Sequence, residues 1–418
     1  VCVHSDYLAA VSSLRAQMPE VTHFVALEDA QADWLDYETT LAAAPTDFTH
    51  PPIDERDLIS INYTSGTTGR PKGVMITHRN VYLTVVGVLT HQPMSPQDRY
   101  LWTLPMFHAN GWTFVWIVTA RGATHVCLRK VEPTAVFNLI EAEQISMFCA
   151  APTVLISIAS TPEEIRRNAR RGLRIITAGS PPAAFTIERI ESELGWELTQ
   201  AYGLTETSPF ISICEERPEH NQLTASERAV IKARQGVELI TSGELLVVDL
   251  EGNEVPHDGQ TTGELVVRGN AVMHGYFNDP EATARAIRAG WFHTGDAAVV
   301  HADGYAEIRD RIKDVIISGG ENISSVEVEG VLLRHPAVQE VAIVGMPHDK
   351  WGEAPHAFVV LRADAAATEA ELKQFARDHL AHFKMPQWVS FIPELPKTAT
   401  GQVQKFVLRG GRAGIAKQ

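Results

Sequence analysis

The densest group of hydrogen-bond donors in the sequence is Tyr63-Thr64-Ser65-Gly66-Thr67-Thr68-Gly69-Arg70-Pro71-Lys72-Gly73. A strand-like run leads into a loop of hydroxyls and glycines, then a basic pair, then a helix. Glycines let backbone N–H groups approach an anion closely, and hydroxyls and cations add donors. The chemistry such a loop serves is phosphate binding, and a plain Gly/Thr turn is the competing reading. Gly69 is followed by Arg-Pro rather than Lys-Ser/Thr, which argues against a standard γ-phosphate NTPase. A second stretch, KTATGQVQK at 397–405, places two lysines around a Thr-Gly turn. Gln402 follows the turn, where a charge is expected.

Residues 58–63 read as a strand, and Thr77 reads as the cap of a helix over 78–89. Helical patterns cover 137–143 and 183–194, and strand-like runs cover 147–150 and 173–178. This rhythm predicts layered α/β structure. From about 236 to 309 the texture changes to alternating strands at 244–249, 263–268 and 297–301, which predicts a small β-rich subdomain. Beyond 311, helices at 326–333 and 369–380 and strands at 338–344 and 356–361 predict a mobile α+β domain. The expected organisation is therefore a layered α/β N-terminal domain, 1–310, and an α+β C-terminal domain, 311–418, with a hinge near 310–314.

The 418 residues are too many for one core. A net charge of −15 argues against nucleic-acid and membrane partners, so any anion site must be built locally. Cys2, Cys127, Cys149 and Cys214 form no zinc-like pattern and fit a reducing compartment. No apolar run is long enough to span a bilayer, and no signal peptide is visible. The chain opens at Val1, inside what reads as an element, as an N-terminally truncated sequence would.

The donor-rich loop resembles the phosphate loop of the adenylate-forming superfamily: acyl- and aryl-CoA synthetases, luciferases and the adenylation domains of peptide synthetases. Other motifs of that family follow in order. Gln200-Ala201-Tyr202-Gly203-Leu204-Thr205-Glu206-Thr207 is similar to its second nucleotide motif, and Trp291-Phe292-His293-Thr294-Gly295-Asp296 to its ribose motif. Asp310-Arg311-Ile312-Lys313-Asp314 is similar to its hinge, and Ser318-Gly319-Gly320-Glu321-Asn322 to the loop lining its CoA tunnel. Leu104-Pro105-Met106-Phe107-His108-Ala109-Asn110-Gly111-Trp112 is similar to its substrate-side motif.

The resemblance implies ATP, Mg²⁺ and coenzyme A as ligands, with a small carboxylic acid as substrate. Thr64, Ser65, Gly66, Thr67, Thr68, Gly69 and Lys72 would hold the β- and γ-phosphates. Thr205 would contact the α-phosphate and Glu206 would ligate Mg²⁺. Tyr202 and Gly203, with Gly179 and Ser180 opposite, would form the base pocket. Asp296 would accept from the ribose hydroxyls, with a turn-forming Asp as the alternative. Arg311 would reach the ribose or phosphate, or be an ordinary surface Arg. His108 would lie near the carboxylate, with a satisfied core His as the alternative. Lys313 would hold the hinge, and Ser318, Gly319, Gly320 and Glu321 would face CoA after domain rotation.

Phrases around 313–329, 334–338 and 347–353 resemble acyl-CoA synthetases acting on fatty acids, with an aryl-CoA ligase as the rival. Ala416-Lys417-Gln418 is not a peroxisomal tail, so the cytoplasm is expected. A homodimer is left open. The family carries a further N-terminal segment, whose absence is expected to leave strands unpaired. The stretch 239–242 is shorter than the family pattern, on the adenine side. In the family the C-terminal turn ends Gly-Lys, and that lysine delivers the charge for adenylation. Gln402 takes its place here, so slow adenylation is expected, at a cost of about 10²–10³ in rate. Lys405, three residues on, is expected to aim elsewhere. The alternative to an active ligase is a nucleotide- or acyl-binding remnant.

Overall fold

The computed structural model describes residues 1–29, 31–64, 71–167, 169–398 and 402–410. The chain forms two compact units, Val1–Asp54 and Glu55–Gln418. In the smaller unit Cys2–Val3, Val25–Ala26 and Leu35–Asp36 form a parallel three-stranded sheet. Val3, Leu8 and Ala26 make its core, and Phe24 meets Trp34 edge to face at 5.3 Å.

The larger unit is built on a seven-stranded sheet. Thr124–Cys127, Arg99–Trp102, Met147–Ala150, Arg174–Thr177 and Glu197–Gly203 run parallel, and Phe210–Ile213 and Val237–Glu238 continue it antiparallel. Its strands are apolar on both faces because both faces are covered. Tyr100, Met147, Cys149 and Ile176 face one core, shared with Val81, Val85 and Val88 of the helix His78–His91. Leu101, Phe148, Ala150 and Ile175 face the other, against Pro133–Ala142, Pro152–Ala159 and Ala184–Arg189.

The donor-rich loop does not feed a helix directly. Leu58–Thr64 pairs antiparallel with Lys72–Thr77, Thr64 opposite Lys72, so the loop is the connection of a hairpin. The alternation of Val74 and Ile76, both buried, makes 72–77 a strand. The helix starts only at His78, with Thr77 and Asn80 forming a capping box.

The β-rich part pairs Glu244–Val248, Gly263–Arg268, Trp291–Val300 and Ala306–Arg311 antiparallel. Its core is Val247, Leu265, Val267, Ala298, Val300 and Ile308. The expected strand at 297–301 is the second half of Trp291–Val300, so Asp296 lies within a strand and not in a turn. The C-terminal part centres on the hairpin Val338–His348 and Gly352–Leu361. Val341 and Ile343 face the helices Ser325–Leu332 and Glu369–His379. Ala342 and Val344 face Leu408 of the short helix Lys405–Gly410. Among the described residues no helix is long and apolar enough to cross a membrane.

Candidate active site

Asp296 stands opposite Arg311 on the paired strands Trp291–Val300 and Ala306–Arg311. Its side chain is only 3% exposed. Arg311 Nε lies 2.8 Å from Oδ1, and the Tyr202 hydroxyl donates to Oδ2 at 2.5 Å. Tyr202 reaches it from the carboxyl end of Glu197–Gly203, where ligands of open α/β sheets bind. Burial pushes the Asp296 carboxyl up, and Arg311 and Tyr202 oppose that shift. Burial and Asp296 push the Tyr202 phenol well up, which keeps it a donor. A carboxylate offers about four lone-pair sites. Arg311 and Tyr202 leave acceptor capacity for further hydroxyls. Arg311 is thus not an ordinary surface Arg.

Beyond Tyr202 the chain doubles back. A Cβ on Gly203 would lie 1.7 Å from the Pro209 carbonyl oxygen, so only glycine allows this return. Between them lies the tight turn Thr205–Thr207, locked by Thr207 Oγ1, which accepts from Leu204 N at 2.8 Å. Glu206 is half-buried, and Tyr276 donates its hydroxyl to Glu206 Oε1 at 2.9 Å. Lys72 Nζ lies 4.7 Å from the centroid of the same ring. Tyr276 and Lys72 meet because Gly275–Tyr276 adds a strand to Lys72–Thr77. Burial and the Glu206 charge push the Tyr276 phenol far up. Thr64 faces Lys72 across the hairpin. Ser65, Gly66, Thr67, Thr68 and Gly69 lie outside the described residues.

Among the described residues no group of three His, Cys, Asp or Glu side chains could hold a metal. Glu206 therefore fits Mg²⁺ only as a single carboxylate beside phosphate oxygens. Tyr276 was not legible as part of this set, because nothing in His274-Gly275-Tyr276 announces a partner some seventy residues upstream.

His108 precedes five residues with left-handed backbone: Ala109 (φ 38°), Asn110 (46°), Gly111 (56°), Trp112 (53°) and Thr113 (70°). Each non-glycine residue there costs about 1–2 kcal/mol, so neighbours must hold the turn. Asn110 Oδ1 accepts from Asn62 Nδ2 at 2.6 Å and from Ser60 Oγ at 2.8 Å. Thr113 Oγ1 donates to the Ser208 carbonyl at 2.9 Å. A Cβ on Gly111 would fall 2.5 Å from Trp102 Cζ3. Burial pulls the His108 imidazole below its ordinary value of 6.5. Gly179 (φ 90°) lies beside Trp112, and Ser180 is exposed. The Asn-Gly pair in Phe-His-Ala-Asn-Gly-Trp is a left-handed signal that the sequence does carry.

In the C-terminal part Lys397 pairs with Val403, and Gln402 N donates to Thr398 Oγ1 at 3.2 Å, forming a hairpin. Gln402 is exposed near its tip. Lys397 Nζ is 2.7 Å from Glu340 Oε2. Lys405 Nζ is 2.8 Å from the half-buried Glu329 carboxylate and donates to Ser325 Oγ. Neither lysine stands in for Gln402. Lys313 is exposed, just past Arg311. Ser318 pairs with Glu321 around Gly319 (φ 61°) and Gly320 (φ 92°), a two-residue left-handed turn. Gly319 N donates to Trp351 O at 2.9 Å, which ties the exposed turn to the neighbouring loop.

The fold thus brings together a mostly parallel seven-stranded sheet, a β-rich part whose Asp296 and Arg311 meet Tyr202 of that sheet, and a separate Glu206–Tyr276–Lys72 set. The chain belongs to the AMP-binding enzyme family. The AMP-binding enzyme model matches residues 1–277, and the AMP-binding enzyme C-terminal domain model matches 327–402. It is 47% identical over 361 residues to probable acyl-activating enzyme 5, peroxisomal, of Arabidopsis thaliana, covering 86% of this chain and 65% of that protein. It is 40% identical over 419 residues to trans-cinnamate:CoA ligase, peroxisomal, of Petunia hybrida, covering 97% and 72%. The structure of the anthranilate CoA ligase AuaEII with anthranoyl-AMP superposes with a TM-score of 0.85 at 27% identity, over 98% of this chain and 77% of that one. The chain thus spans just under two thirds of the length of the Arabidopsis relative.

Proposed function

We propose that this chain carries an ATP-dependent acid–CoA ligase activity. The observation that carries the reading is the pair of sets around Asp296 and Glu206, reached from one sheet end. In this reading a carboxylate oxygen attacks the α-phosphorus of ATP, the bond to the β-phosphate oxygen breaks, and pyrophosphate leaves. The thiolate of coenzyme A then attacks the acyl carbon, and AMP leaves with the electron pair. Asp296 accepts from the ribose hydroxyls with Arg311 balancing its charge. Tyr202 and Gly179 flank the base, with Gly203 and Ser180 beside them. Thr64 and Lys72, with the loop 65–69, hold the outer phosphates. Thr205 contacts the α-phosphate, and Glu206 holds Mg²⁺, which supplies charge neutralisation when bound. Neutral His108 faces the acid without adding charge.

Domain rotation about 310–314 would exchange the Gln402 hairpin for the Ser318–Glu321 turn at this site. The acid in our reading is fatty or related. The aryl alternative draws on the cinnamate and anthranilate ligases. Four free cysteines support a reducing compartment such as the cytoplasm, with the peroxisome of two relatives' names as the rival.

We further infer slow adenylation, because Gln402 is uncharged and the lysines on either side are committed to Glu340 and Glu329. The test is pyrophosphate release with a panel of aliphatic and aromatic acids, on this chain and on Gln402→Lys. A separate thioester assay starts from preformed acyl-adenylate. Gln402→Lys is expected to raise adenylation by about 10²–10³ and leave thioester formation unchanged. Equal adenylation by both chains sinks the inference about Gln402. No acid turned over by either chain sinks the ligase reading.

A further inference from the structure

We infer that Asn110 is a positioning residue for the acyl side of the site, and that it acts by holding the left-handed turn Ala109–Thr113. This rests on the ligase reading above. The turn touches three elements of the site at once. Asn110 Oδ1 takes donors from Ser60 and Asn62, on the strand that leads into the donor-rich loop. Thr113 Oγ1 ties the turn to Ser208, just after the Glu206 turn. Trp112 lies against Gly179, where a Cβ would sit 3.8 Å from Trp112 Cζ2.

His108 precedes the turn and Trp112 lies within it, so the direction of both side chains depends on its conformation. Isolated left-handed residues are ordinary for Asn and Gly, but a run of five needs outside support. Asn110 supplies the anchor, since Ser60 Oγ also accepts from Asn62 Nδ2 at 3.0 Å and the three polar groups form one closed set. A cavity of about 10 Å³, room for about one water, adjoins Asn62, Asn110, Thr205 and Ser208. There is little slack between the turn and the Thr205 loop. Asn110 itself touches none of Tyr202, Asp296 and Arg311, and that set, which holds the AMP ribose in this reading, is fixed by its own pairing.

The experiment is calorimetric titration of wild type, Asn110→Gly and Asn110→Asp with AMP and with cinnamoyl- and butanoyl-sulfamoyladenosine, stable mimics of acyl-adenylates. Glycine keeps the backbone and removes the acceptor, whereas aspartate tolerates the backbone and keeps the acceptor. Asn110→Gly is expected to weaken the tighter-binding mimic about tenfold, the scale of a lost hydrogen bond or two, with AMP affinity unchanged. Asn110→Asp is expected to restore most of it. Should the glycine variant not fold, Ser60→Ala decides. It removes one donor outside the turn and is expected to cost about threefold. Wild-type mimic affinity in the glycine variant (or in Ser60→Ala, where that variant decides), equal losses in the glycine and aspartate variants, or a parallel loss of AMP each overturn the inference. If wild type binds neither mimic better than AMP, the ligase reading fails first and this inference falls with it.

Discussion

Replacing Tyr276 by phenylalanine removes one hydroxyl and leaves the ring. That hydroxyl donates to Glu206 Oε1 at 2.9 Å, and the ring carries Lys72 Nζ at 4.7 Å. A hydrogen bond to a charged group contributes about 1.5–3 kcal/mol. Glu206 is only half-buried, so the lower end applies, and about 1.5 kcal/mol is roughly a tenfold loss of rate. The Lys72–ring contact, about 0.5–1 kcal/mol at an accessible site, survives in Tyr276→Phe and is lost in Tyr276→Leu. The leucine variant is therefore expected to fall roughly a further threefold. The assay is ATP–pyrophosphate exchange in a Gln402→Lys background, with kcat/KM for ATP followed across Mg²⁺ concentrations. Tyr276→Phe should lower kcat/KM and raise the Mg²⁺ requirement, with AMP affinity unchanged because the Asp296 set is separate. An unchanged Mg²⁺ requirement, or AMP affinity falling in step, refutes the reasoning.

Further outcomes are expected. Gly111→Ala places a Cβ 2.5 Å from the Trp102 ring at positive φ, and should cost about 2–4 kcal/mol in urea unfolding. Lys405→Met leaves the half-buried Glu329 carboxylate without its cation, and should cost about 2–3 kcal/mol, below the range for a fully buried pair. Gln402→Lys, at an exposed position, should stay within about 0.5 kcal/mol of wild type. Burial depresses the His108 pKa in the folded chain. As pH falls through 6.5 the unfolded chain takes up a proton that the folded chain refuses, so stability drops. His108→Gln should flatten part of that loss in melting curves between pH 7.5 and 5, with His125, also depressed by burial, keeping the rest.

The layers were legible because their periodicity is local. Met147–Ala150 and Gly263–Arg268 lie where apolar runs and alternation place them. The hairpin before His78 was less so, because Lys72–Thr77 is short and follows directly on the glycines that draw the eye. Asp296 reads as a turn residue from Thr-Gly-Asp alone. Its strand is set by pairing with Gly263–Arg268 and Ala306–Arg311, partners far along the chain. The Tyr276–Glu206 contact and the Asn110 anchor are tertiary, and no local pattern encodes them. Gln402 was legible as an oddity, whereas the commitment of Lys405 to Glu329 required the fold.

The C-terminal hairpin separates its scaffold from its tip. Lys397 is fastened to Glu340 at one leg, and Lys405 to Glu329 just past the other. Neither attachment uses the side chain of Gln402. A residue placed this way is free to vary without penalty to folding, so its charge behaves as an exchangeable part. A single-base change interconverts glutamine and lysine codons, which puts the charged and uncharged forms of this hairpin one mutational step apart on an unaltered frame.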